Sequence, residues 1–262
     1  MNFIALFKKD IKEIYRTYRI YVIPVIFIFF GLISPILAKI MPDLLKSMAG
    51  EVKVELPPPT WKDAFTQYFK NISQIGLLAV ILSYMGVIAD EKSRGTAQIV
   101  LYRPVSRFLF VFSKFLAYSL LLLFSIFLSY LGCLYNTSVL FPEVSVVLTL
   151  EATCLYLVYA FFIGAITISA SAIVKNSVLA GGIGIGGFAL VSILPLFHQI
   201  LAKYSPAALQ KNISKILAET VEFTDMIWPI MIAFILSLLL IGLSGYVFSR
   251  QEIKSENYLA GS

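Results

Sequence analysis

Charge is scarce in this sequence. Of 262 residues, 14% are Asp, Glu, Lys or Arg, against about 25% in an average soluble domain. A soluble globule cannot cover itself with so few charges. With 59% hydrophobic residues and a mean hydropathy of +0.86, the natural solvent of the chain is a bilayer. Histidine occurs once, at His198, so a histidine-based metal site or triad lacks partners. Cys133 and Cys154 form no CxxC or Cys/His pattern. No G-x-x-x-x-G-K-[ST] sequence is present, which excludes ATP hydrolysis through a P-loop. The N-terminus lacks, in order, a basic region, an apolar region and a small-residue cleavage site, so no cleaved leader is expected. The net charge is +6, but the basic residues lie in short segments between long apolar runs. They are not clustered over a soluble fold, so no nucleic-acid partner is expected, and membrane topology accounts for them better.

What the sequence does have is apolar length. A helix needs about 20 apolar residues to cross a hydrocarbon core of about 30 Å. Six stretches qualify: Ile20 to Ala38, Ile72 to Ala89, Phe108 to Tyr135, Ala152 to Val174, Val178 to Phe197 and Ile227 to Phe248. The expected fold is therefore all-α, a single membrane domain over residues 1–262 with six spans between residues 20 and 249.

Orientation follows from lysine and arginine in the flanks. With the N-terminus inside, 13 of the 21 basic residues, including all six arginines, fall on the inner side. Nine of the 15 acidic residues fall outside. Six spans then return the tail, residues 250–262, to the inner side. The sequons at Asn71, Asn136 and Asn212 all fall outside, in agreement. A multi-pass protein of the plasma membrane with both termini cytoplasmic is the expectation.

The segments between spans differ. Phe3 to Arg19 reads as an amphipathic helix, with Phe3, Phe7, Ile11, Ile14, Tyr15 and Tyr18 on one stripe. Lys8, Lys9, Lys12, Glu13 and Arg16 fall mostly opposite. Such a helix is suited to the lipid interface; the plainer alternative is a helix packed on the bundle. Pro57, Pro58 and Pro59 stiffen the first outer loop. Glu143 to Leu150 has the length of an extra half-helix. The third outer loop shows a helical pattern in Ile213, Ile216, Leu217 and Val221.

The most informative stretch is Asp90 to Lys114, DEKSRGTAQIVLYRPVSRFLFVFSK. Gly95 and Thr96 break the second span, with Thr96 a candidate N-cap. Ala97 to Tyr102 can form a short helix, which Pro104 ends by disfavouring the helical shape of Arg103. Ser106 can cap the third span, and Lys114 can snorkel back to the interface.

This stretch resembles the ABC-2 type permease family, in which an acidic residue precedes R-G-T, a short helix, P-V-S-R, and then a lysine seven residues after the arginine. The matching residues are Glu91, Arg94, Gly95, Thr96, Pro104, Val105, Ser106, Arg107 and Lys114. The six spans, the N-terminal helix and the tail from Arg250 to Glu252 extend the likeness over most of the chain. The resemblance implies that the short inner helix is a coupling helix gripped by an ATP-binding subunit. Ala97, Gln98, Leu101 and Tyr102 would dock, flanked by Arg94, Arg103 and Arg107. It further implies two ATP-binding subunits carrying ATP and Mg, a second permease subunit that is identical or related, and no cofactor on this chain itself. The function implied is that of a transmembrane subunit of an exporter, not an enzyme in its own right. A plain basic loop obeying the positive-inside rule would explain the charges, but not Gly-Thr and Pro-Val-Ser-Arg at this spacing.

Other signals have plainer explanations. GIGIGG at residues 182–187 lies inside an apolar span with no acidic residue before Glu219, so a dinucleotide site is rejected. Gly182 and Gly186 instead suit close helix packing, within the bundle or at a subunit contact. His198 reads as an interfacial polar residue. Glu151 reads as one that reaches the headgroups, with a substrate role as the sharper alternative. Gln74, Thr167, Ser169 and Ser171 suit interhelical hydrogen bonds. Cys133 and Cys154 stand at similar depth, where a disulfide competes with free packed thiols. The rival classes are a stand-alone transporter or channel and a membrane scaffold. The first needs ion-coupling or selectivity residues in mid-membrane, and these are almost absent.

Overall fold

The structure, a computed structural model, describes residues 3–48, 58–96 and 106–250. The secondary structure of the described residues is helical, with short turns between helices and no strand. Helix α1 (Phe3–Arg16) precedes α2 (Arg19–Met48), the first span. The second span is built of α3 (Trp61–Asn71), a π-helical turn (Ile72–Gly76), α4 (Leu77–Tyr84) and α5 (Gly86–Ser93). Then follow α6 (Arg107–Leu140), α7 (Val146–Ile173) and α8 (Ser177–Ile193), the third to fifth spans. Two short helices, α9 (Gln199–Tyr204) and α10 (Ala207–Leu217), precede the sixth span, α11 (Ile227–Arg250). Among the described residues, six helices are long and apolar enough to cross a membrane.

Two expectations about boundaries need correction. The second span begins at Trp61, eleven residues before the apolar run. Residues 61–71 carry polar groups on one face, which lowers their hydropathy, yet Ala64, Phe65, Tyr68 and Phe69 are buried on the other. The helix starts where Thr60 N donates to the Asp63 carboxylate at 2.8 Å. Glu143 to Leu150 forms no separate half-helix. Ser145 caps a helix that runs unbroken from Val146 to Ile173, and Glu143 turns the chain at a φ of 59°. The helical pattern expected around Ile213 is present as α10, which buries Ile213, Ile216 and Leu217. His198 is the N-cap of α9, its ring nitrogen accepting from Ile200 N at 3.1 Å. Both cysteines are free, Cys133 buried and Cys154 exposed.

The second span forms the centre. Buried residues make up 72% of its most apolar window, against 22% for the fifth span. Its π turn displaces the backbone ladder, and the buried Tyr156 hydroxyl donates to Ile72 O at 2.8 Å. That bond is a second one to a carbonyl of the bulge, which also accepts from Leu77 N, and it ties the fourth span to the turn. Met85 separates α4 from α5, so the first amides of α5 need partners. Ser171 Oγ accepts from Ile88 N at 3.0 Å and Ala89 N at 2.9 Å.

The first and third spans are joined by side chains that donate to backbone. Ser129 Oγ donates to Phe27 O, and Asn136 Nδ2 donates to Leu32 O at 3.1 Å. The close approach requires Gly31, since a β-carbon there would run into the Ser129 carbonyl oxygen. Gly31→Ala should therefore push the spans apart and destabilise by about 1–3 kcal/mol. Gly132→Ala should cost less, because only the tip of Leu32 must yield. Unfolding of both variants in mixed micelles checks the ranking.

Candidate functional site

The second span ends in a glycine-closed turn. Arg94 N donates to Asp90 O at 3.1 Å, Gly95 N donates to Lys92 O at 3.2 Å, and Gly95 has a φ of 70°. A left-handed residue here favours glycine, which is the physical content of the R-G-T motif. Thr96 Oγ1 donates back to Glu91 O at 3.2 Å, fastening the chain as it leaves the helix. Ala97, Gln98, Leu101, Tyr102, Arg103 and Pro104 lie outside the described residues. Ser106 occupies the N-cap position of α6 without a side-chain cap bond.

Both ends of this segment are tied to neighbouring helices. Arg107 Nη1 donates to Phe248 O at 3.0 Å and its guanidinium lies 6.0 Å from the Phe248 ring, which fastens α6 to α11. Lys92 is buried and donates to Ala172 O at 2.7 Å, at the C-terminal end of α7, where a cation meets the free carbonyls. Arg19, at the start of the first span, donates to the Tyr118 hydroxyl at 2.6 Å and pairs with Asp90 at 3.6 Å. Gly86 makes room for that pair, because a β-carbon there would strike the Asp90 carboxylate.

Lys114 departs most from expectation. It does not snorkel: its side chain is 0% exposed. Its ammonium lies 2.9 Å from Glu91 Oε1, 3.2 Å from Glu13 Oε2 and 3.4 Å from Asp10 Oδ1. Lys9 reaches the same Glu91 oxygen at 2.9 Å and stands 3.7 Å from both Asp10 and Glu13. Ser113 Oγ donates to Asp10 Oδ2. A buried ammonium is tolerable only when paired, and here carboxylates from two other elements supply the pairing. The two ends of the motif, Glu91 and Lys114, are thus in direct contact and close the base of the segment between them.

Helix α1 is the third partner. It packs on α6 through Leu6, Asp10 and Ile14, while Tyr15 and Tyr18 are exposed. The stripe expected from the sequence is therefore rotated, because Asp10 takes an inward position that polarity argued against. Asp10 lies one turn from both Leu6 and Ile14; an acid on that apolar line was the signal to find it. Burial raises the Glu13 carboxyl above its ordinary value; Lys114 opposes this and Glu91 adds to it. A cavity of about 440 Å³ adjoins the cluster, lined among others by Lys9, Glu13, Arg19, Asp90, Glu91 and Arg94.

The remaining candidates stand elsewhere. A β-carbon at Gly182 or Gly186 would meet nothing within 4 Å, so neither packs inside the chain. Gly181, Gly184 and Gly187 are the glycines of α8 that face neighbours, against Met85, Ile81 with Thr167, and Ile166. Glu151 is partly buried at the far end of α7. Among the described residues no His, Cys, Asp and Glu are grouped to hold a metal ion.

The arrangement fastens α1, α5 and α6 to one another. Lys114→Met would leave three carboxylates around an apolar group and should cost about 3–5 kcal/mol. Adding Glu91→Gln should cost less than the sum of the two single changes. Both follow from unfolding measurements in detergent.

Comparison with known proteins agrees with this frame. The chain is 24% identical over 252 residues to an uncharacterized transmembrane protein, YxlG, of Bacillus subtilis (strain 168), covering 95% of this chain and 98% of the relative. The family described as ABC-2 family transporter protein matches residues 4–231. With its six apolar helices and the closed R-G-T turn between the second and third, this multi-pass membrane protein belongs to the ABC-2 transporter family.

Proposed function

We propose that this chain is the transmembrane permease subunit of an ATP-binding cassette transporter, expelling or flipping a substrate with ATP hydrolysed on a separate subunit. The observation that carries the reading is the anchoring of the basic segment at residues 94–107. Its base is tied to α1 and α6 through Lys114, to α2 through Arg19 and Asp90, to α7 through Lys92, and to α11 through Arg107. A load on the segment reaches at once four of the other five spans. A loop present only to satisfy topology requires no such fastening.

In this reading Ala97, Gln98, Leu101 and Tyr102 dock in the ATP-binding subunit, with Arg94, Arg103 and Arg107 beside them. Glu91, Gly95, Thr96 and Pro104 fix where the docking helix begins and ends. Two ATP-binding subunits, carrying ATP and Mg, act on two permease chains. The chain sits in the plasma membrane with both termini cytoplasmic, and α1 lies at the inner interface against lipid. The open glycines Gly182 and Gly186, on the least buried span, belong to the contact between permease subunits. The distribution of charge supports a substrate with apolar character. The most deeply buried charged side chains, Asp10, Arg19, Lys92 and Lys114, cluster at the basic end, and a small-ion path through mid-membrane has few groups to use.

Purification in mild detergent should retain an ATP-binding subunit. Replacing both Leu101 and Tyr102 with Glu should release it while the permease stays folded. Retention of the subunit by that variant contradicts the docking assignment.

A further inference from the structure

The cluster around Lys114 holds more acid than base. Among the described residues Asp10, Glu13 and Glu91 meet Lys9 and Lys114, three carboxyls on two ammoniums. Arg19, which also faces Glu13, is paired with Asp90 beside it. Arg94 lines the same cavity, but its side chain is exposed and it forms no ion pair with these carboxyls. A surplus negative charge among groups this buried is costly, and two carboxyls in one site resolve it by keeping one neutral. The geometry names the pair. Glu13 Oε2 and Glu91 Oε1 share the Lys114 ammonium, at 3.2 and 2.9 Å, and share the Lys9 ammonium, at 3.7 and 2.9 Å. Glu91 Oε2 is buried and has no hydrogen-bond partner. An unsatisfied buried acceptor calls for a donor, and two ionised carboxylates cannot supply one.

We propose that Glu13 and Glu91 form a proton-binding site: one proton is shared between them and bonds α1 to the end of the second span. When the proton is bound, the five groups sum to zero and the Glu13 hydroxyl donates to Glu91 Oε2. When it leaves to water, the cluster carries one negative charge and the two carboxylates repel across the α1–α5 contact. The groups facing Glu13 are Lys9 and Asp10 from its own helix, Glu91 from α5, Lys114 and Tyr118 from α6, and Arg19 from α2. The adjoining cavity, lined by Glu13 and Glu91 together, gives the proton a route. The sign follows from the upward displacement of Glu13. The contribution to α1 docking is complete at low pH and is lost as pH rises through the raised Glu13 pKa. The proton site stands by itself. Its consequence, that α1 grips or frees the docking segment with pH, rests on the coupling role proposed above.

Infrared spectroscopy of the purified full-length protein tests this directly. The wild type should show a carboxylic-acid carbonyl band that disappears on raising the pH. Glu13→Gln and Glu91→Gln should each abolish it, because either change leaves two carboxylates for two ammoniums. A spin label at Lys12→Cys should report α1 loosening at high pH in the wild type and not in Glu13→Gln, whose amide supplies the donor permanently. Absence of the band in the wild type overturns the proposal, because all three carboxyls are then ionised. Persistence of the band in both Gln variants also overturns it. If the band behaves as expected while no ATP-binding subunit co-purifies, the coupling reading fails and the proton site remains.

Discussion

A lysine buried in an apolar helix bundle must be neutralised where it stands, and the architecture of the basic end follows from how that is done here. Lys114 lies within the third span, so its partners have to be brought to it. Glu91 arrives because the second span extends to Ser93 and stops there at Gly95. Asp10 and Glu13 arrive because α1 folds back and packs on α6. Each of these placements then fixes something else. The stop at Gly95 sets where the basic segment leaves the bundle, and the docking of α1 sets the entry angle of the first span.

The same end shows how a membrane protein uses charge without exposing it to lipid. Lys92 satisfies the carbonyl end of the fourth span, and Arg107 satisfies the end of the sixth. Arg19 spans the first span, the end of the second and Tyr118 on the third. Counted along the sequence, these residues look like members of a positive-inside loop. In space they are rivets between helices, and their desolvation is compensated by carbonyls, carboxylates and aromatic faces. Towards the opposite end the bundle is held differently, by small residues and hydroxyls that return hydrogen bonds to helix backbone, as at Gly31, Ser129 and Tyr156.

Much of this was legible in the sequence. Six apolar runs, each near the length of a bilayer core, gave the span count, because hydrocarbon length is a property of composition alone. The break at Gly95 was legible because left-handed backbone favours glycine. The start of the second span at Trp61 was not, since the polar residues of an amphipathic segment hide a buried face that hydropathy averages away. The inward position of Asp10 and the burial of Lys114 were not legible either. Both are costly alone and favourable only together, and a pairing across 104 residues leaves no local trace. For Gly182 and Gly186 the sequence left packing within the bundle and a subunit contact both open. Which glycines face neighbours depends on helix rotation, and a span that is apolar all round does not encode it.

The central proposal is that the segment between Gly95 and Ser106 docks on a separate ATP-driven subunit. Site-directed cross-linking at Leu101→Cys tests it most directly, in membranes that contain the ATP-binding subunit. The account predicts a cross-link to that subunit, together with protection of the cysteine from membrane-impermeant thiol reagent added outside the cell. Labelling of the cysteine from outside would place the segment beyond the reach of any ATP-driven partner and contradict the account.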